Sequence, residues 1–209
     1  MKNIIFDFGG VLVDWNPRYM YRKHFQTEEE MEFFRKNICN DEWNAEQDRG
    51  RPFAEAIALL QKQYPSYADK IALYWDKWEE MLKDEIHGTV QILHELKAHY
   101  TLYGLTNWSA ETIDFAFQRF DFFKEFRGIL VSGREKLIKP DPKIFQLLFQ
   151  RFNISPSESL FIDDNEANIK TAKSLGLQGI LFKNPHTAKT GFRGDEATSV
   201  NFYLQELER

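Results

Sequence analysis

Three carboxylates follow short apolar runs that are typical of buried β-strands. Asp7 comes after Asn3–Phe6 and before two glycines, and Asp163 and Asp164 come directly after Leu160–Ile162. Adjacent carboxylates at the end of a buried strand repel each other unless a cation is present. Mg²⁺ prefers oxygen ligands and keeps waters that a phosphate can replace. If the strand ends meet, these side chains predict a Mg²⁺ site; the alternative is that Asp164 caps the next helix and Asp163 is solvated.

Two further polar segments could bind an anion near that site. Thr106 and Asn107 follow an apolar run and precede a helical segment, so a hydroxyl and backbone N–H groups could hold phosphate oxygens. Lys139 lies in the turn Lys139-Pro140-Asp141-Pro142, where its charge could offset that of a phosphate. The ordinary alternatives are a helix cap at Thr106 and a solvent-exposed side chain at Lys139.

The elements that must position these residues alternate between strand and helix after Gly88. Strands are predicted at 3–6, 102–105, 128–131, 160–162 and 178–182, and helices at 89–98, 110–120, 143–152 and 166–175, with a final amphipathic stretch at 198–207. This alternation predicts an α/β fold with a parallel, Rossmann-like sheet. Its continuous hydrophobicity favours the first strand as a central one. Ligands bind at the carboxyl ends of such strands, which is where the polar residues lie.

The segment between the first strand and this alternating region has a different pattern. Helices are predicted at 17–25, 28–37, 53–63 and 67–82, and no strand is expected there. The chain therefore divides into an α/β core, residues 1–15 and 86–209, and a helical insert, residues 16–85. Within or beside the insert, Trp15, Trp43, Asn44 and Arg49 combine aromatic, amide and charged groups that suit a sugar or another polyol. Helix packing and a surface ion pair are the alternative.

Composition narrows the class of protein. The 209 residues carry a formal net charge of −5, which makes nucleic acid a poor partner. The longest apolar run near the start is interrupted by Asp7 and is too short to cross a membrane. The single cysteine, Cys39, suits a reducing cytoplasm. We therefore expect a cytoplasmic monomer or homodimer that acts on a small molecule and contacts neither membrane nor nucleic acid.

Taken in order, the polar segments resemble the four motifs of the haloacid dehalogenase-like (HAD) superfamily, in the subfamily with a helical cap after the first motif. The matching segments are Asp7-Phe8-Gly9-Gly10-Val11-Leu12, Leu105-Thr106-Asn107, Lys139-Pro140-Asp141 and Asp163-Asp164-Asn165, with Asn168 one turn further on. The resemblance implies a Mg²⁺-dependent phosphatase for a small phosphorylated metabolite, with a sugar phosphate as the first expectation.

The resemblance also implies a role for each residue. Asp7 would attack phosphorus and form an aspartyl-phosphate. Asp7, the backbone carbonyl of Gly9 and Asp164 would hold Mg²⁺, with Asp163 in support. Thr106 and the backbone of Asn107 would hold the phosphoryl oxygens, and Lys139 would offset their charge.

One position departs from the pattern of the family's phosphatases. These usually carry a second Asp two residues after the nucleophile as general acid and base, and this chain has Gly9 there. We therefore expect a preference for leaving groups that need little protonation; Asp14 is the nearest other carboxylate. A 2-haloacid dehalogenase, which also lacks the second Asp, and a non-catalytic binding protein remain alternatives. The retained pair Asp163-Asp164 argues against the dehalogenase, because these carboxylates need a cation beside a third one.

Overall fold

A five-stranded parallel sheet forms the centre of residues 1–185, the part of the chain that the computed structural model describes. The strands in these residues, numbered in chain order, are β1 Asn3–Phe6, β2 Val13–Trp15, β3 Leu82–Glu85, β4 Thr101–Thr106, β5 Gly128–Val131, β6 Ser159–Asp163 and β7 Gln178–Leu181. The sheet order is β5-β4-β1-β6-β7, and each neighbouring pair is parallel. The predicted α/β fold class is therefore confirmed.

The first strand is central, as its uninterrupted hydrophobicity predicts. Ile4, Ile5 and Phe6 are fully buried, and Ile4 lies opposite Leu102 on one side and Leu160 on the other. Because the paired strands run in one direction, the residues that follow β1, β4 and β6 come to the same edge of the sheet.

Helices cover both faces of the sheet and fill the segment between β2 and β3. Their bounds are α1 Pro17–Tyr21, α2 Glu28–Asn37, α3 Asp41–Asp48, α4 Phe53–Gln63, α5 Ala68–Asp76, α6 His87–Leu96, α7 Ile113–Arg119, α8 Ser132–Glu135, α9 Pro142–Phe152 and α10 Glu166–Ser174. The helices α2 and α4 have the predicted bounds. The Thr27 hydroxyl accepts a hydrogen bond from the backbone N–H of Glu30 and so caps α2. Threonine is a common cap at the start of a helix.

The segment between residues 16 and 85 differs from the expectation in three places. The predicted helix at 17–25 ends at Tyr21, and α3 was not predicted. The predicted helix at 67–82 is broken: α5 ends at Asp76, a 3₁₀ turn follows, and β3 pairs antiparallel with β2. The backbone N–H of Asn16 donates to the Met81 carbonyl at 2.8 Å. This long-range bond takes the chain out of the helix and into the two-stranded ribbon.

The ribbon of β2 and β3 is thus the entry to and exit from the helical segment. The core bounds 1–15 and 86–209 and the insert bounds 16–85 stay a prediction, and the stretch at 198–207 lies outside the described residues. Within the described part of the chain, no helix has the length and apolar character needed to cross a membrane.

Candidate active site

A buried lysine joins two carboxylates at the carboxyl edge of the sheet. Lys139 Nζ lies 2.8 Å from Asp7 Oδ1 and 2.7 Å from Asp163 Oδ2, and it donates to the Leu105 carbonyl at 3.0 Å. Lys139 is only 3% exposed, so the alternative of a solvated surface lysine does not apply. Three loops that are distant in sequence therefore meet at one charged group, as the strand-end pattern predicts.

Asp163 is held on all sides by hydrogen-bond donors. Besides Lys139, the Asn168 side-chain amide donates to both carboxylate oxygens at 3.1 and 3.0 Å, and the Asn165 backbone N–H donates at 2.7 Å. The α10 cap is the Asn165 side chain, which accepts from the backbone N–H of Ala167 at 2.9 Å. Asp164 is therefore not the helix cap, and it is exposed beside a fully buried Asp163.

The cluster contains more negative than positive charge. One oxygen each of Asp7, Asp163 and Asp164 lies within 4.8 Å of the others, and a single ammonium, that of Lys139, contacts the cluster among the described residues. Burial raises the pKa of Asp7 to about 8, Lys139 opposes the shift, and the two other carboxylates add to it. A divalent cation would relieve this repulsion, and the all-oxygen donor set fits Mg²⁺.

The glycine loop after β1 lets Asp164 approach closely. Gly10 has a φ of +74°, and a Cβ there would lie 2.4 Å from Asp164 Oδ2. A side chain at position 10 would therefore displace a carboxylate of the cluster. The neighbouring Gly9 differs, because a Cβ on it would meet no atom of the described residues within 4 Å.

The Thr106 hydroxyl is available to a ligand. Thr106 is 1% exposed, and its Oγ1 has no hydrogen-bond partner within residues 1–185. Such an unpaired buried hydroxyl is costly unless a ligand or water satisfies it. The Asn107 side chain is occupied, since it donates to the Lys139 carbonyl at 3.0 Å and accepts from the Lys139 backbone N–H at 2.9 Å. Asn107 therefore fixes the lysine loop, and its backbone remains the part predicted to hold phosphate.

A cavity of about 60 Å³, open to solvent on one side, lies beside Gly9 and Asn107. Its aromatic walls are Trp15, Phe53, Trp78 and Trp108, and its other lining side chains are Asn44, Asp48, Ser109 and Thr112. Asn107 was predicted to hold phosphate and lines this cavity; of the four residues predicted to suit a sugar or polyol, Trp15 and Asn44 line it too. The Trp15 indole nitrogen is buried and has no hydrogen-bond partner in the described part of the chain.

The structure does not bring the two other predicted residues, Trp43 and Arg49, to the cavity lining. The Trp43 ring packs edge-on against Tyr74, with ring centroids 4.9 Å apart. Arg49 is exposed, and its Nε lies 3.5 Å from Glu46 Oε1. Both residues match the alternative of helix packing and a surface ion pair.

Sequence reasoning missed Asp48 as a site residue. Asp48 ends α3 and lines the cavity, and the Asn44 amide donates to its Oδ2 at 3.1 Å. Burial raises its pKa to about 7, against the backbone hydrogen bond from Ser109 and the charge of Lys139. The sequence placed Asp48 next to Arg49, which favoured an ion pair; only the fold shows that Arg49 faces elsewhere. Asp14, the nearest carboxylate in sequence to Gly9, accepts from the Tyr19 hydroxyl at 2.8 and 2.9 Å.

A parallel sheet whose strand ends hold a buried lysine among three carboxylates defines an α/β enzyme with an acidic, cation-requiring centre. The model of the haloacid dehalogenase-like hydrolase family matches residues 1–176, and the chain belongs to that family of hydrolases.

The chain is also similar to curated relatives in sequence and to solved structures in fold. The sesquiterpene phosphatase astK of Aspergillus oryzae is 26% identical over 181 residues, which are 86% of this chain and 88% of that protein. Acyl-CoA dehydrogenase family member 10 of mouse is 46% identical over 65 residues, but the match spans only 6% of that protein and 31% of this chain. A HAD family enzyme of Bacteroides thetaiotaomicron, solved with magnesium and inorganic phosphate, has a TM-score of 0.67 at 24% identity and covers 88% of this chain and 95% of that one.

Proposed function

We propose that this hydrolase is a Mg²⁺-dependent phosphatase that removes phosphate from a small organic monoester through an aspartyl-phosphate on Asp7. The observation that carries the proposal is a carboxylate cluster beside the buried Thr106 hydroxyl, which has no hydrogen-bond partner among residues 1–185. A cation and a phosphate would satisfy both at once. The astK relative and the magnesium–phosphate complex of the bacterial enzyme support the same reaction.

Each side chain has a defined task in this reaction. Asp7, the Gly9 carbonyl and Asp164 would hold Mg²⁺, which supplies charge stabilisation for the transferring phosphoryl group. Asp163 would support this set while it holds Lys139 at 2.7 Å. Lys139 lies 2.8 Å from Asp7 and so keeps the nucleophile oriented and offsets incoming phosphate charge. The Thr106 hydroxyl would donate to a phosphoryl oxygen.

The cavity bears on the substrate. A sugar phosphate is the expectation from sequence, and aromatic rings can stack on the C–H face of a sugar. Four aromatic side chains on one small cavity equally fit an apolar carbon skeleton, such as the sesquiterpene named for the astK phosphatase. We propose that the substrate is a phosphomonoester with an apolar face. One hydrogen-bonding group of this substrate would accept from the Trp15 indole N–H. The helical segment would act as a cap that closes over this substrate. We expect the reaction to take place in the cytoplasm.

The 2-haloacid dehalogenase is the less favoured function. Its reaction needs no metal, whereas here three carboxylates share one lysine. A purely binding role is opposed by the intact nucleophile, lysine and hydroxyl.

Phosphate release from a panel of sugar, alkyl and terpenyl phosphates, with Mg²⁺ and with EDTA, tests the proposal. We expect Mg²⁺-dependent release, and a loss of more than about 10³-fold in Asp7→Asn, because nucleophile and metal ligand are lost together. Halide release from 2-chloropropionate without metal would favour the dehalogenase. Turnover of Asp7→Asn within a few-fold of the parent would exclude Asp7 as the nucleophile.

A further inference from the structure

Position 9 leaves the reaction without a proton donor next to the nucleophile. Gly9 has no side chain, and within the described part of the chain no atom lies within 4 Å of where its Cβ would be. Asp14, on the ribbon strand β2, does not take over this role, because its carboxylate accepts from the Tyr19 hydroxyl on α1. A proton donor must therefore reach the site from another part of the chain.

We propose that Asp48, at the end of α3, is the general acid and base of this enzyme. Asp48 lines the cavity that also contains Gly9 and Asn107, and it is the one carboxylate among the cavity's described lining residues. The proposal rests on the proposed phosphatase function, and it changes the expectation that the enzyme handles only leaving groups that need little protonation.

Side-chain contacts orient the Asp48 carboxylate. The Tyr74 hydroxyl donates to the Asn44 amide oxygen at 2.8 Å, and this leaves the Asn44 amide nitrogen to donate to Asp48 Oδ2 at 3.1 Å. Burial raises the pKa of Tyr74 well above its usual value, so Tyr74 stays a neutral donor. The relay therefore points in one direction and ends at the carboxylate.

Backbone contacts seat the same residue on the sheet domain. The Ser132 hydroxyl donates to the Asp48 carbonyl at 2.5 Å and accepts from the Trp108 backbone N–H at 2.9 Å. Two residues on, Gly50 has a φ of +103°, and a Cβ there would lie 2.8 Å from the Gly133 carbonyl. The end of α3 is thus docked against α8, which follows a strand of the sheet.

The charge state of Asp48 suits proton transfer near neutral pH. A pKa of about 7 lets one group act as acid in one step and as base in the next. Lys139 is the nearby cation that lowers this pKa, and the Ser109 backbone bond also lowers it.

Two other charged groups, one on α3 and one before α7, have partners other than Asp48. Arg49 on α3 pairs with Glu46, and the Glu111 carboxylate before α7 accepts from the Phe53 backbone N–H at 2.7 Å. On α5, the neighbouring hydroxyl is that of Tyr74. None of these groups neutralises Asp48.

The two half-reactions then balance with Asp48 as the only proton carrier. In the first, Asp7 forms a bond to phosphorus, the bond from phosphorus to the leaving oxygen breaks, and the Asp48 proton goes to that oxygen. In the second, Asp48 as carboxylate takes a proton from water, the water oxygen bonds to phosphorus, and the bond to Asp7 breaks. Phosphate leaves, and Asp7 and Asp48 return to their starting states.

The test compares hexyl phosphate, whose leaving oxygen needs a proton, with p-nitrophenyl phosphate, whose leaving group does not. In Asp48→Asn, we expect kcat/KM for hexyl phosphate to fall about 10²–10⁴-fold and kcat/KM for p-nitrophenyl phosphate to fall less than about 10-fold. The second step also slows, so intact-mass measurement should show phosphorylated enzyme, with a burst of p-nitrophenol. Glu46→Gln on the same helix is the matched control and should leave both rates unchanged.

A rescue variant separates a chemical role from a structural one. Because position 9 has room for a side chain, Gly9→Asp added to Asp48→Asn should restore hydrolysis of hexyl phosphate by at least about 10-fold. Equal losses for both esters in Asp48→Asn, with no phosphoenzyme, would overturn the role of Asp48 while the parent's Mg²⁺-dependent phosphate release still stands. A parent chain that releases phosphate from neither ester would overturn the proposed function, and this proposal with it.

Discussion

Asp48→Asn should stabilise the protein relative to the parent, and this gain should be larger at alkaline pH than at acidic pH. The folded chain holds Asp48 in a site that raises its pKa from 3.8 to about 7, whereas the unfolded chain ionises it freely. Since the folded-state pKa is the raised one, the ionised group opposes folding, and this penalty grows as pH rises from about 4 to about 7 and is constant above that. The uncharged amide has no such penalty.

The size of the effect follows from the shift. Each pKa unit corresponds to about 1.4 kcal/mol, so about three units give an upper value of about 4 kcal/mol above pH 7. Asp48 retains partial contact with solvent through the cavity, which reduces this value, and we expect a gain of about 2–4 kcal/mol at pH 8. The substituted amide oxygen can still accept from Asn44, so the packing of α3 should persist.

Urea denaturation followed by tryptophan fluorescence, with EDTA and without substrate, measures this difference at pH 5 and pH 8. The gain in free energy of unfolding should be clearly smaller at pH 5, because part of the penalty is then absent from the parent. Glu46→Gln is the control, and its change should stay within about 0.5 kcal/mol at both pH values, since Glu46 is exposed. An equal gain at both pH values, or a loss at pH 8, would refute burial of the charge as the cause.

Further predictions concern the metal and the phosphate. Asp164→Asn should raise the Mg²⁺ concentration needed for half-maximal activity more than Asp163→Asn does, because Asp163 is already bound to Lys139 and Asn168; Mg²⁺ titrations in which Asp163→Asn shows the larger shift would reverse the assignment. Thr106→Val should leave the free energy of unfolding within about 1 kcal/mol, since no hydrogen bond is lost in the described part of the chain, yet lower kcat/KM by about 10²–10³-fold. Thr106→Ser keeps the hydroxyl and should retain most activity, and a Thr106→Val enzyme as active as the parent would remove the phosphate-binding role.

The centre of the fold and of the site could be predicted because strong local patterns specify it. An uninterrupted apolar run marks β1, and polar residues at the ends of three strands mark the edge where Asp7, Lys139 and Asp163 meet. The topology of parallel sheets then brings these distant loops together without any further information. The burial of Lys139 follows from the same topology, because two carboxylates, one on each side of its ammonium group, compensate its charge.

The ribbon and α3 could not be read in the same way. The strand β3 has the sequence Leu82-Lys-Asp-Glu, which has no apolar alternation, and it forms because its backbone pairs with β2 about 70 residues earlier. Propensity is a weak guide where tertiary contacts decide the conformation. The break after α5 has no glycine or proline to mark it.

The role of Asp48 was hidden for a related reason. Its neighbours in sequence point to an ion pair with Arg49, whereas its environment is made by Tyr74, Ser109 and Ser132, all distant in sequence. The pKa of a carboxylate depends on such neighbours and on its loss of solvent, and neither is written in a local motif.

The contact of Gly50 with the Gly133 carbonyl has a consequence for how mutations in this protein will be interpreted. The contact between these glycines involves no reacting group, yet it fixes the position of the end of α3. A Gly50→Ala change would leave the nucleophile, the lysine and the acid chemically intact and would still move the acid away from the leaving oxygen. Its kinetic defect would therefore imitate the loss of a proton donor, although the altered residue touches no substrate. In a mutational scan of this protein, a large loss of activity can therefore identify a residue that positions the acid as readily as a residue that takes part in the chemistry.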